Sequence, residues 1–173
     1  MGRIFRSFDY KGSKIFKLVE LPLIEKYKVI GYWNEFKEHG ETENVLWELD
    51  DYSIYTYYLK QEEEERNIRY GFFVDGKLCG MLRISSRINH EASGMLGYSI
   101  RPSMRGNGYA QEMIKMAIGV CKMEGIIPVT ACVDIRNMTS RWILQKCGFK
   151  ETGRLFEWIP NPNPRTALEY KYN

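Results

Sequence analysis

Apolar residues along this chain switch between strand and helical spacing several times, and each switch marks an element. Residues 14–20 (KIFKLVE) read as a strand. Pro22 then suits the first turn of a helix running to about His39, with Leu23, Ile24, Tyr27, Ile30 and Phe36 near one face and Gly40 as its stop. Residues 41–49 read as a loop. Asp50 or Asp51 caps a second helix to about Arg66, with Ile54, Tyr58 and Leu59 facing inward. The acidic run at 62–65 opposes the dipole of that helix; it reads as a solvated face or, more sharply, as a patch for a cationic substrate.

Residues 69–74 and 77–88 make a hairpin around Asp75-Gly76, the strongest short-range hairpin signal in the chain. Residues 89–94 turn into a central strand at 95–100 (MLGYSI). Ala110, Met113, Ile114, Ala117, Ile118 and Cys121 then recur at helical spacing up to a stop at Glu124-Gly125. A strand at 128–135, a helix at 138–146 stopped by Gly148, and closing strands at 149–158 and 167–172 follow, the last two joined by a proline-rich linker at 160–164. Residues 1–13 show no period and read as an extension of undetermined order. This order predicts an α/β fold, a single domain over residues 1–173 with a mixed sheet of about seven strands.

At 173 residues the chain is long enough to bury a core without disulfides. A net charge of +3 fits a mild attraction to an anionic ligand, while Arg87, Arg101 and Arg105 form no dense basic stripe, so nucleic acid is not an expected partner. Cys79, Cys121, Cys132 and Cys147 lack metal-site or redox spacing and read as buried free thiols of a reducing compartment; no metal is expected. No long apolar run or signal-peptide pattern is present, so a cytoplasmic protein without membrane contact is expected.

The chemistry concentrates at residues 100–113 (IRPSMRGNGYAQEM), between the central strand and the long helix. Pro102 keeps Arg101 extended, and the first turn of the helix then presents N–H groups without intrahelical partners and a partial positive charge. Gly106 and Gly108 let backbone approach a ligand closely. Amides from about Gly106 to Gln111 are therefore suited to wrap a phosphate or pyrophosphate, each charge-assisted bond contributing on the order of 1.5–3 kcal/mol. Gln111 stands where a dinucleotide fingerprint needs glycine, and no Gly-Lys-Ser/Thr supplies a P-loop. The plain alternative is a flexible basic turn.

The pattern Arg105-x-x-Gly108-x-Ala110, preceded by Ile100 and Pro102, resembles the acyl-CoA signature of the GNAT superfamily of N-acyltransferases. The block from Asn137 through Ser140 to Lys146, Gly148 and Phe149 resembles its downstream Asn-x-x-Ser/Ala helix ending in Lys-x-Gly-Phe. The likeness covers about Phe72 to Lys150. It implies helices on both faces of the sheet and central strands, 95–100 and 129–135, splayed to hold acyl-CoA. The pantetheine arm would pair with the backbone of Tyr98 and Ile100, with an N–H near Tyr98 polarising the thioester. The pyrophosphate would rest on Arg105, Gly106, Asn107, Gly108, Tyr109 and Ala110, and Asn137 and Ser140 would meet the arm at the next helix. On the residues alone, Asn137 or Thr139 is an N-cap, and Trp142 and Phe149 read as core in preference to adenine-stacking residues.

The likeness implies direct attack of a neutral primary amine on acetyl-CoA, the amine belonging to a small molecule or a peptide N-terminus, and leaves a homodimer open. Its branch contains ribosomal-protein N-terminal and small-molecule acetyltransferases. Two positions depart from the pattern: Leu144 occupies the position where many relatives carry a tyrosine acid, and the glutamate base of some relatives aligns with Gly94. His90, Glu91, Tyr98 and Asp134 are nearby substitutes, and neither acid nor base is assigned. The alternative that these departures raise is an acyl-CoA-binding module without turnover.

Overall fold

The computed structural model describes residues 3–8, 12–41, 67–85, 94–158 and 165–173. The expected helix through residues 50–66 with its acidic run, the turn at 89–93 and the linker at 160–164 lie outside them.

A five-stranded antiparallel sheet comes first, in chain order: β1 (Ile4–Phe8), β2 (Ile15–Glu20), β3 (Asn67–Val74), β4 (Lys77–Ser85) and β5 (Leu96–Ile100). The hairpin β3–β4 turns at Asp75-Gly76, where both residues have positive φ, +48° and +85°, as a tight hairpin of this twist requires. A second sheet holds β6 (Val129–Asp134), β7 (Lys150–Trp158) and β8 (Arg165–Tyr172) in the order β6-β8-β7. The closing strands do pair, but β8 inserts between β7 and β6. The expected single mixed sheet is thus two antiparallel sheets, joined by one parallel bridge, Met95–Thr130.

Three α-helices are described: α1 (Lys26–Glu38), α2 (Tyr109–Met123) and α3 (Met138–Lys146). On α2 the expected stripe Met113, Ile114, Ala117, Ile118 and Cys121 is buried, packed against Phe16, Leu18, Phe72, Leu82 and Leu96 on one sheet face. A fully buried side chain such as Met113 contributes roughly 1.5–3 kcal/mol. The opposite face carries Val19, Phe73, Leu78 and Met81, which α1 covers. Helices therefore lie on both faces of the first sheet.

Two expectations at the N-terminal end are corrected. Part of the 1–13 extension is strand β1, paired with β2 in the register Ile4↔Val19 to Phe8↔Ile15. Pro22 begins no α-helix; it sits in a 3-10 turn, Leu21–Leu23, after which Ile24 returns to extended backbone. Leu21 and Ile24 are buried there, and the helix that starts at Lys26 buries Val29, Tyr32, Trp33 and Phe36, a 3, 4, 7 stripe that leaves Leu23 and Tyr27 46% and 67% exposed.

Candidate active site

Strand β5 is paired along one edge and open along the other. The Met95 carbonyl accepts from Ser85 N–H at 3.0 Å and Arg101 N–H donates to the Cys79 carbonyl at 2.8 Å, so the odd-numbered residues face β4. Backbone groups alternate sides along an antiparallel strand, so those of Leu96, Tyr98 and Ile100 face away from β4, toward β6. Beyond the Met95–Thr130 bridge, β5 and β6 share no ladder, and a cleft opens between the two sheets. Arg105 Nε donates to the Ile100 carbonyl at 3.2 Å, leaving the Ile100 N–H on the open edge.

From Ile100 the chain passes through a 3-10 turn, Pro102–Met104, and enters α2. Gly106 and Gly108 both sit at φ +77°, and a Cβ on either would meet nothing within 4 Å, so the space over the loop is empty. Among the described residues, no hydrogen bond is made by the amides of Gly106, Asn107, Gly108, Tyr109 and Ala110. The row ends there and not at Gln111, whose N–H donates to the Gly108 carbonyl at 3.1 Å. The other polar groups of the loop brace it. Arg105 Nη1 and Nη2 hold both oxygens of Glu41 at 2.8 and 2.7 Å, and Asn107 Nδ2 donates to the Met104 and Arg105 carbonyls. The Tyr109 ring lies edge-on to Phe16 and its hydroxyl accepts from Lys14 Nζ at 2.9 Å. Asn107 and Tyr109 thus offer the loop's open face their amides while the Asn107 Nδ2 and the Tyr109 hydroxyl are bonded to protein, whereas the Arg105 N–H is itself spent on the Pro102 carbonyl at 3.3 Å, so Arg105 supplies no amide to the row. Glu35 and Glu41, which touch the loop from α1 and its end, carry no periodic or motif signal in the sequence.

Across the cleft, Asn137 is the N-cap of α3, its Oδ1 accepting from Ser140 N–H at 3.0 Å. The Tyr98 hydroxyl donates to Ser140 Oγ at 3.0 Å, which ties β5 to the start of α3. Burial pushes the Tyr98 hydroxyl up to about 12, partly offset by that bond. Leu144 is fully buried in the main core, so a hydrocarbon fills the place of the relatives' tyrosine. Phe149 is core as expected. Trp142 is not: α3 turns Leu144 to the core and leaves Trp142 52% exposed, with Lys146 Nζ 5.5 Å from its ring centre.

The remaining acid–base candidates separate clearly. Arg136 grips Asp134 through Nε at 3.0 Å and Nη2 at 2.7 Å, and this bond first of all holds the Asp134 carboxyl down at about 2, ill-suited to taking a proton near neutrality. Gly94 has φ +73°, and a Cβ there would stand 2.6 Å from the Pro128 carbonyl, so the backbone excludes a glutamate at that position. His90 and Glu91 lie outside the described residues. Cys79, Cys121 and Cys147 are buried as expected, and burial raises their thiols, Cys121 to about 11; Cys132 is not, since β6 leaves it exposed, although partial loss of water around its sulfur still raises that thiol. Among the described residues no cluster of His, Cys, Asp and Glu could hold a metal ion, and no helix is long and apolar enough to cross a membrane.

Solved structures share this architecture over nearly the whole chain. RimL, a ribosomal L7/L12 alpha-N-protein acetyltransferase, superposes with a TM-score of 0.77 at 12% identity, covering 99% of this chain and 94% of RimL. Mycobacterium smegmatis RimJ in complex with CoA-disulfide gives 0.73 at 19% identity, over 91% of this chain and 81% of RimJ. The microcin C7 self-immunity acetyltransferase MccE, in complex with acetyl-CoA and AMP, gives 0.71 at 17% identity, over 91% of each chain. No curated protein sequence matches the chain. A family model described as an acetyltransferase (GNAT) domain matches residues 22–150, most of the length and both of the blocks that form the cleft. This chain therefore belongs to the GNAT acetyltransferase family.

Proposed function

We propose that this protein transfers the acetyl group of acetyl-CoA to a primary amine by direct attack in a ternary complex. The observation that carries the reading is the row of unbonded amides from Gly106 to Ala110, standing at the end of a strand whose outer edge is open. A loop with empty space above it and donors converging from a helix start suits a pyrophosphate. Bound acetyl-CoA supplies the thioester electrophile and the thiolate leaving group. Tyr98 and Ile100 pair with its pantetheine amides as a neighbouring strand would, and the Tyr98 N–H is available to a thioester oxygen as charge grows on it.

The Ser140–Tyr98 pair is the proton source in this reading. Because the Tyr98 hydroxyl donates to Ser140 Oγ, the Ser140 proton is free to point elsewhere. Ser140 gives that proton to the departing thiolate and takes one from Tyr98, which solvent restores. A phenol raised to about 12 stays protonated at neutral pH and serves as the reserve. No carboxylate in the described cleft is poised to deprotonate the amine, so the amine enters neutral or loses its proton through water. The acceptor class we favour first is a peptide α-amine, the acceptor of the structurally similar RimL, a ribosomal L7/L12 alpha-N-protein acetyltransferase.

Initial rates with both substrates varied test direct attack: intersecting double-reciprocal lines are expected. Replacing Cys79, Cys121, Cys132 or Cys147 in turn by Ala should give no variant that is folded yet inactive. Parallel lines together with an acetyl adduct trapped on a cysteine would replace this scheme with a covalent intermediate.

Asn137 has a capping and a ligand role that separate by substitution. Asn137→Ala should lose roughly 0.5–2 kcal/mol of stability, recovered largely by Asn137→Asp or Asn137→Ser, since each can accept from Ser140 N–H. If Nδ2 also donates to pantetheine, Asn137→Asp should melt like the parent yet bind acetyl-CoA more weakly, because a carboxylate has no N–H to give. Thermal unfolding beside calorimetry reads both, and parent affinity in Asn137→Asp would remove the donor role.

A further inference from the structure

Side chains from the C-terminal part of α1 and from the turn that follows it meet successive points of the chain that leads into the glycine loop. The Tyr32 hydroxyl lies 2.9 Å from Ser99 Oγ, Glu35 Oε1 accepts from Ser103 N–H at 2.7 Å, and Glu41 holds Arg105 through both terminal nitrogens. Arg101 Nε stands 3.4 Å from the second Glu35 oxygen. Tyr32 and Glu35 are neighbours on one helix face, while Glu41 is brought back by Gly40, whose φ of +67° lets Glu41 N–H reach the Phe36 carbonyl at 3.0 Å. Burial raises the Glu35 carboxyl, but the Ser103 amide and hydroxyl with Arg101 outweigh it and hold it below its ordinary value; the Arg105 bond does the same for Glu41.

Part-exposed ion pairs of this kind add little to stability, so their alignment along one loop calls for another role. We infer that Glu35 and Glu41 are positioning residues for acyl-CoA, holding residues 101–105 so that the amides of Gly106 to Ala110 converge on one anion. This rests on the reading of that loop as the pyrophosphate site. Both carboxylates act through other groups, Glu35 through the Ser103 amide and Glu41 through Arg105. Arg105 in turn grips the Ile100 carbonyl at the strand end, so the clamp reaches both the strand edge and the loop. A loop held in advance loses less freedom when it closes on its ligand.

The test compares the parent with Glu35→Gln, Glu41→Gln, Glu41→Ala and the charge exchange Glu41→Arg with Arg105→Glu, using calorimetry with CoA, melting curves and initial rates. Glu41→Ala should raise the CoA Kd and the acetyl-CoA KM by about tenfold while kcat at saturating acetyl-CoA stays within about twofold. Glu41→Gln and Glu35→Gln, which keep an acceptor oxygen and the fold, should fall between it and the parent. The charge exchange re-forms the 41–105 pair but loses the Arg105 bond to the Ile100 carbonyl, so it should recover only part of the affinity lost in Glu41→Ala and stay weaker than the parent. A Glu41→Ala protein that melts lower but binds CoA like the parent would reduce the clamp to a structural pair and overturn the inference, as would a loss confined to kcat. A parent that binds no CoA would overturn this inference and the loop reading together, whereas indifferent variants of a CoA-binding parent would overturn the clamp alone.

Discussion

Gly108→Val should weaken CoA binding by about 100-fold, the loss of roughly two charge-assisted amide bonds. The side chain would stand in the open space over the loop, where a Cβ meets no atom of the described residues within 4 Å beyond its own chain neighbours. Its φ of +77° makes the substitution strained by roughly 1–3 kcal/mol, so a lower melting temperature is expected along with retained fold. Gly125→Val separates strain from ligand exclusion. That glycine follows the other end of α2 at φ +70°, also with nothing within 4 Å, and its substitution should lower stability similarly while leaving CoA affinity unchanged. Calorimetry on both variants gives the answer. Parent-like affinity in a folded Gly108→Val protein would sink the pyrophosphate assignment.

Ser140→Ala should lower kcat by about 100-fold with little change in the acetyl-CoA KM, the signature of a lost proton donor in a step after binding. The helix itself is spared, because the cap at Asn137 uses the Ser140 amide and not its hydroxyl. Tyr98→Phe should have the smaller effect, on the order of tenfold, since water can replace the reserve proton. Thiol release at saturating acetyl-CoA measures both. A Ser140→Ala enzyme that turns over like the parent would dismiss the hydroxyl pair as a source of protons.

The elements that build the cleft were legible because each obeys a local rule. Asp75-Gly76 needs its two positive φ values, the stripe from Met113 to Cys121 keeps helical spacing, and Asn137 sits three residues before the amide it caps. What escaped the sequence depends on contacts distant along the chain. Strand β1 is an edge strand in which Ile4 is half exposed and Phe5 only partly buried, so five residues carry too weak an apolar signal and owe their order to pairing with β2. The place of β8 between β6 and β7 comes from tertiary pairing that no strand announces for itself. On α1, Pro22 read as a helix start because that is its commonest place, yet buried Leu21 and Ile24 set a separate turn and shifted the helical stripe to Val29 and Trp33. At the site, glycine spacing pointed to the amides, but the pairing of Glu41 with Arg105 joins residues 64 apart and has no sequence signal. The missing base is structural as well: the backbone at Gly94 leaves no room for a side chain.

Product analysis tests the account's centre, acetyl transfer to an amine, most directly. The parent protein is incubated with acetyl-CoA and a panel of amino acids, polyamines, aminoglycosides and peptide amines, and the mixture is read by mass spectrometry beside an assay of free CoA. At least one amine, with a peptide α-amine favoured, should gain a single acetyl group in step with CoA released over many turnovers. Acetyl-CoA that binds yet stays intact with every acceptor would contradict the account and leave an acyl-CoA-binding module without turnover.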